Sequence, residues 1–291
     1  MAIQVERNIP AAVGTPPKYS PELEQIEIDL LLEGIYRQYG FDFRQYAYAS
    51  IRRRLWKRVD AEGLATISAL QERVLHEPEM MERLLLDLSI NVTAMFRDPH
   101  FYKVFREQVV PTLRTYPFIR LWHAGCATGE EVYSMAMLLE EEGLYDRSRI
   151  YATDINEVVL QKAKAGIFPL ERMQEYTDNY MRAGGKRSFS EYYTAKYGGA
   201  LFDQSLTKNV VFSRHNLVTD RSFSEFNVIL CRNVLIYFDK TLQSKVHSLF
   251  YDSLAMFGVL VLGSKETPRF MAHEECYEQM APPQKIFRKV R

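Results

Sequence analysis

Cysteine is scarce in this 291-residue chain: Cys126, Cys231 and Cys276 are the only three. Their odd number and unrelated spacings exclude a disulfide framework and offer no metal-ligand cluster, which fits a reducing compartment. No run of 18 apolar residues occurs, so no membrane-spanning helix is expected. The first nineteen residues lack the apolar core of a secretory signal, and with Gly14, Pro16 and Pro17 they read as a flexible N-terminal arm. Net charge is missing too, since 37 Lys and Arg balance 37 Asp and Glu. That balance argues against a uniformly basic nucleic-acid binder and leaves local patches open. Internal repeats and low-complexity tracts are absent. A cytoplasmic protein is the resulting expectation.

What is present is an ordinary globular composition, 47% hydrophobic and 25% charged, arranged in two textures. Residues 20–90 read as an all-helical domain. Ser20-Pro21-Glu22 is a helix start, with a capping Ser, Pro in the first turn and an acid behind it. Ile28, Leu31, Leu32, Ile35 and Tyr39 then keep helical spacing up to Gly40. Further helices are expected over 47–59, 66–75 and 79–88. Residues 91–116 form a linker and a connecting helix that starts at Asp98-Pro99. From 117 to 291 short apolar runs alternate with helical patterns: strands over 118–123, 149–153, 226–231 and 259–262, helices over 130–142, 157–165 and 240–253, and a last antiparallel strand over 285–290. This alternation predicts a parallel sheet with helices on its faces. Aromatics, Gly198-Gly199 and short β-like runs mark a small antiparallel insert at about 185–213.

In an open α/β sheet, ligands sit at the carboxyl ends of the strands. The first strand runs into Gly125-Cys126-Ala127-Thr128-Gly129-Glu130-Glu131, where two glycines let a ligand approach the backbone. Alone, such a turn is more often plain structure. It lacks the Lys-Ser or Lys-Thr of a phosphate-binding loop. The second strand ends at Asp154, which suits the hydroxyls of a ribose as well as it suits capping the next helix. Together the two features favour an adenosine ligand without a pyrophosphate, and S-adenosylmethionine meets that description. Two more polar clusters flank the sheet: Ser89 to Pro99 in the linker, and Cys231-Arg232-Asn233-Val234-Leu235-Ile236-Tyr237-Phe238 at a strand tip.

In this order, Asn91-Val92-Thr93-Ala94-Met95-Phe96-Arg97, the Gly125 turn, Ala152-Thr153-Asp154-Ile155 and the Arg232-Asn233 tip resemble the chemotaxis receptor methyltransferase (CheR) family. The resemblance runs from about residue 22 to 290. It implies a Rossmann-like S-adenosylmethionine-dependent methyltransferase sheet with an N-terminal helical domain and a small β insert. It implies methyl transfer to receptor glutamates, with S-adenosylhomocysteine as the spent cofactor. Carried over by position, Asn91, Thr93 and Arg97 reach the cofactor from the linker. Glu131 meets its methionine end, Asp154 its ribose, and Asn216 and Leu217 flank its adenine. Arg232 and Asn233 complete the pocket beside Gly125. Arg97 and Tyr237 lie near the transferred methyl and are the catalytic candidates. The chain departs from the family at Gly263-Ser264-Lys265-Glu266, which keeps the outer Gly and Glu of a Gly-His-Ser-Glu element but not its inner pair.

The second helix carries Arg44, Arg52, Arg53, Arg54, Lys57 and Arg58 on or near it. Such a run is either a solvated face or a docking surface for an acidic partner, with Arg53, Arg54 and Lys57 as the docking candidates. The cytoplasmic helices of a methyl-accepting receptor suit it. Two rival readings share these residues: a nucleic-acid methyltransferase, although the Asp/Asn-Pro-Pro-Tyr/Phe base-gripping turn is absent, and a signalling protein that binds S-adenosylmethionine without transfer. No metal is expected.

Overall fold

The computed structural model describes residues 20–89, 93–196 and 198–291; the expected N-terminal arm and Asn91 lie outside them. The first helix, α1 (Pro21–Tyr39), starts and stops where its sequence signals stand. The Ser20 hydroxyl accepts the Leu23 N–H at 3.1 Å, and Gly40 takes the left-handed conformation that ends the helix. With α2 (Tyr48–Ala61), α3 (Ile67–His76) and α4 (Pro78–Leu88) it closes around one apolar cluster that includes Ile28, Leu31, Leu55, Leu70 and Leu84.

The connecting helix was expected without a break. It runs instead as α5 (Pro99–Val104), a π-helical turn (Phe105–Val109) and α6 (Val110–Leu113). Pro111 explains the break: it has no N–H for the ladder, and Val110 just before it donates to Phe105 rather than to the next carbonyl.

The rest of the chain is built on β1 (Ile119–Ala124), α7 (Glu130–Glu141), β2 (Ser148–Asp154), α8 (Glu157–Ala165), β3 (Ile167–Pro169), α9 (Met173–Arg182), β4 (Tyr193–Lys196), β5 (Gly199–Phe202), β6 (Val210–Arg214), β7 (Phe226–Cys231), α10 (Lys240–Ser253), β8 (Leu254–Leu262), β9 (Tyr277–Ala281) and β10 (Ile286–Lys289). Seven strands form one sheet in the order β6-β2-β1-β7-β8-β10-β9. The first five are parallel, and β10 runs antiparallel to both β8 and β9. Strand order reverses between β1 and β7, so the tips of those two strands flank the crevice where such sheets take ligands. Side chains alternate across β1: Leu121 faces the helices α5 to α7, and Trp122 faces α10.

The antiparallel insert needs a correction. Its sheet is β3-β5-β4, and residues 209–213, expected within it, supply β6 at the edge of the main sheet, paired parallel with β2. An edge strand has one neighbour and one covered face, so its mixed pattern does not mark it as part of a parallel sheet. Sequence patterning also missed α9 and β9.

A buried acid ties the small sheet to the main one. Glu141, at the end of α7, accepts hydrogen bonds from Arg106 of the π turn, from the hydroxyls of Tyr180 and Tyr192, and from the Lys186 amide. Its side chain has no exposed surface. Arg106→Ala leaves that carboxylate buried without its main counter-charge. A loss of roughly 3–5 kcal/mol of unfolding free energy is expected, measured by urea denaturation.

Candidate functional site

The glycine turn after β1 folds back on the neighbouring strand. The Gly125 and Cys126 amides both donate to the Thr153 carbonyl, at 2.8 and 2.9 Å. Gly125 has φ 82°, and a Cβ there would stand 2.6 Å from a Val234 methyl, so only glycine fits. Ala127, at φ 49°, turns its N–H onto Asp154 Oδ2 at 2.9 Å, and the Asn156 amide holds Oδ1 at 3.0 Å. Burial pushes the Asp154 carboxyl up, while the Asn156, Ala127 and Ile155 amides pull the other way. The acid is thus fixed by backbone, with lone pairs left for a diol.

Gly125 and Asp154 open onto a cleft of about 650 Å³. Asn216, Leu217, Asn233 and Tyr237, all candidates from the sequence, also line it. So do residues that sequence reasoning did not single out: Phe43, Tyr46 and Leu88 of the helical domain, and Val218 and Phe238 of the sheet domain. The apolar walls suit a flat base and Asp154 suits a ribose. Among the described residues the lining includes no Lys or Arg, so the cleft offers no cationic side chain to a phosphate. This donor set fits S-adenosylmethionine.

Glu131 and Arg232 stand beside the cleft as a buried pair. Arg232 donates to Glu131 at 2.7 Å and to Asp98 at 2.7 Å, lies over the Phe101 ring, and reaches the Arg97 carbonyl at 3.4 Å. His123 Nδ1 lies 3.1 Å from the other Glu131 oxygen. Burial alone would raise the Glu131 carboxyl; the Arg232 charge and His123 outweigh it and hold it at about 2. Arg232 therefore fastens the linker to α7 and does not itself line the cleft. Thr93 is likewise held through its backbone, its carbonyl accepting from Arg172 at 3.1 Å.

The Asn233 tip is organised by Glu266, whose carboxylate accepts the amides of Asn233, Val234, Ile236 and Gly263 at 2.6–3.3 Å. Asn233 has φ 62°, a left-handed conformation that this acid sustains. The signal for Glu266 was visible in the Gly263-Ser264-Lys265-Glu266 stretch, but no role attached to it. The helical domain docks onto the same loop. Ala47 N–H donates to the Tyr237 carbonyl at 2.8 Å, and Asp239 N–H donates to the Gln45 carbonyl at 2.9 Å.

Arg54 needs a correction as a docking candidate. It is buried, donates to the Leu88 carbonyl at 2.6 Å, and lies 4.8 Å from the Tyr237 ring centre. On α2 it falls three residues after Ile51 and one before Leu55, on the inward stripe. Arg53 and Lys57 are exposed; Lys57 pairs with Asp87 at 3.1 Å, and Arg52 and Arg58 also face acids.

Two outcomes follow from this geometry. Gly125→Ala strains the turn and drives a methyl into Val234. It should weaken S-adenosylhomocysteine binding about tenfold or more by calorimetry (~1.4 kcal/mol), with partial recovery in Gly125→Ala/Val234→Ala. Glu131, lowered from 4.5 to about 2, contributes stability that is complete above its unfolded value and disappears as pH falls toward the folded one. The melting temperature of the wild type should therefore drop more between pH 5 and pH 3 than that of Glu131→Gln.

Comparison with known proteins agrees with these two halves. Residues 26–89 match the family described as CheR methyltransferase, all-alpha domain, and residues 91–285 match CheR methyltransferase, SAM binding domain. A Pseudomonas putida protein named putative methyltransferase Cher3 is 54% identical over 91% of this chain and 97% of its own. The chemotaxis protein methyltransferase of Escherichia coli is 30% identical over 80% and 81%, and that of Listeria innocua 28% over 79% and 86%. With both matches in order, the first over the helical domain and the second from the linker onward, the chain belongs to the CheR methyltransferase family, and its cofactor is S-adenosylmethionine.

Proposed function

We propose that this protein methylates glutamate side chains on the cytoplasmic helices of chemotaxis receptors, forming methyl esters, and that it works in the cytoplasm. The observation that carries the reading is the meeting of Asp154, Asn233 and Tyr237 at one crevice, with the Glu131–Arg232 pair and the linker alongside, in a chain of this family. Among the described residues no helix is long and apolar enough to cross a membrane.

When bound, the cofactor supplies an electrophilic methyl on a sulfonium. A glutamate carboxylate, with a reference pKa of about 4.3, is already the ionised nucleophile at neutral pH, so no residue need act as a strong base. The protein's work is positioning, for which alignment of reacting groups can supply roughly 7–11 kcal/mol at most. Asp154 and the Gly125 turn fix the nucleoside, and Asn216 and Leu217 flank its base. Glu131 offers a carboxylate to the ammonium of the methionine end. Asn91, Thr93 and Arg97 serve the cofactor from the linker. Arg97 also orients the incoming carboxylate through paired hydrogen bonds. Tyr237, held through its backbone by Ala47 and stacked under Arg54, presents its side chain to the same carboxylate. Arg53 and Lys57 offer exposed positive charge to an acidic receptor surface.

The test is transfer of labelled methyl from S-adenosylmethionine to receptor-containing membranes. Release of the label in mild alkali is expected, since carboxyl esters hydrolyse there and N-methyl groups do not. Arg97→Ala and Tyr237→Phe should each lower turnover by roughly 10- to 100-fold, about 1.4–2.7 kcal/mol. Product binding should stay close to wild type in Tyr237→Phe and weaken in Arg97→Ala, which also loses a cofactor contact. Alkali-stable label, or label in nucleic acid, would point to another acceptor.

A further inference from the structure

Past Glu266 the chain forms a short projection pinned at both ends. At its base Glu266 is buried, bonded to four amides, and Pro268 is buried behind it. At its return the His273 ring stacks on Tyr251 with centroids 4.0 Å apart, and the Cys276 amide donates to the His273 carbonyl at 3.0 Å. Between them Arg269 N–H donates to the Thr267 hydroxyl, Met271 N–H to the Pro268 carbonyl, and Phe270 N–H to Glu274.

Phe270 stands at the tip, 94% exposed and with φ 63°. Both facts run against its chemistry. A bulky side chain disfavours the left-handed region, and this one forgoes the hydrophobic gain of burying a Phe ring. Lys265 and Arg269 flank it, exposed, and neither forms an ion pair among the described residues. Lys265 is also where the chain departs from the Gly-His-Ser-Glu element.

The projection is close to the proposed chemistry. Phe270 follows Glu266 by four residues, so their Cα atoms are at most about 14 Å apart. The Glu266 carboxylate itself holds the Val234 and Ile236 amides, next to Tyr237. An α-helix with its side chains is about 10–12 Å across. Through that carboxylate the chain can hold Phe270 no more than roughly 27 Å from Tyr237, about two and a half helix widths, which is within the span of a receptor helix bundle that presents a glutamate at Tyr237.

We propose that Lys265, Arg269 and Phe270 form a receptor-binding element: Phe270 packs among apolar side chains of the receptor helices, and the two cations face neighbouring carboxylates. This rests on the receptor reading above. Exposed aromatics that become buried in a complex often dominate its affinity, and charges at the rim add steering and salt dependence.

The test is co-sedimentation of the full-length protein with receptor-containing and receptor-free membranes, alongside methylation kinetics. Phe270→Ser should weaken receptor-dependent sedimentation and raise KM for receptor about tenfold or more, while Phe270→Leu changes both by less than about threefold. S-adenosylhomocysteine affinity and melting temperature should not move in either variant. Lys265→Glu/Arg269→Glu should weaken sedimentation at low salt and flatten its salt dependence. Wild-type sedimentation and KM in Phe270→Ser would overturn the proposal even if the enzyme methylates receptors normally. Receptor binding that depends on Phe270, without methyl transfer by the wild type, would instead sink the receptor-methylation reading and leave the docking element standing. A wild type that does not sediment with receptors overturns both.

Discussion

An arginine side chain that is only 3% exposed needs anionic partners, and the ones that Arg232 finds come from two different parts of the chain. Glu131 belongs to α7, in the sheet domain, and Asp98 to the linker that enters it. Satisfying this one cation therefore fixes where the linker crosses the sheet. Phe96 and Asp98, both at positive φ, turn the linker sharply at that place. Phe96 N–H is anchored on the Ser134 hydroxyl of α7 at 2.8 Å, and Asn179 of α9 holds the Met95 carbonyl at 3.2 Å. Local strain at the linker is thus held by bonds from three elements. The residues meant to meet the cofactor from that side inherit their position from this arrangement.

Glu266 does the matching work on the other side of the crevice. One carboxylate serves four amides that a strand tip would otherwise bury unpaired. The loop it stabilises carries Tyr237 and receives the helical domain through two backbone hydrogen bonds. The Asn156 side-chain amide adds a link to Ser89 at 2.9 Å, and Arg54, itself bonded to Leu88 within the helical domain, lies over the Tyr237 ring. The helical domain is therefore a wall of the cleft, contributing Phe43, Tyr46 and Leu88, and its docking and the shape of the pocket are the same set of contacts.

Sequence showed most of this architecture where a residue's job is local. The Ser20 cap, the Gly40 stop, the central strands β1, β2 and β7 and the helix α10 each follow from spacing or end signals within a dozen residues. What stayed hidden depends on partners far along the chain. β6 is an edge strand whose pattern does not say which sheet it joins. Arg54 sits on a stripe shared with Ile51 and Leu55, and helical spacing alone could have placed it inward; its charge suggested the opposite. Glu266 and Asp98 became legible only once the fold brought each beside its partners 30 and more residues away. The site residues read from the family pattern divide in the same way. Gly125, Asp154, Asn216, Leu217, Asn233 and Tyr237 line the cleft, while Glu131 and Arg232 form the charged pair next to it.

This division suits the electrostatics of methyl transfer to a carboxylate. A sulfonium and a carboxylate begin as opposite charges and end as a neutral thioether and a neutral ester. A fixed cation such as the proposed Arg97 orients the carboxylate but favours the charged start of that path, so further unmatched charge there would oppose the transfer. Here the strong charges near the crevice are already matched: Arg232 against Glu131 and Asp98, with Glu266 surrounded by amide dipoles. The cleft itself presents Phe43, Leu88, Val218 and Phe238 beside its polar groups. In such low-dielectric surroundings the attraction between the two reacting charges is less screened than in water, and water is kept from competing for the carboxylate. The helical domain completes those apolar walls and is bonded directly to the loop bearing Tyr237, so under the proposed reaction it belongs to the surroundings in which the methyl moves.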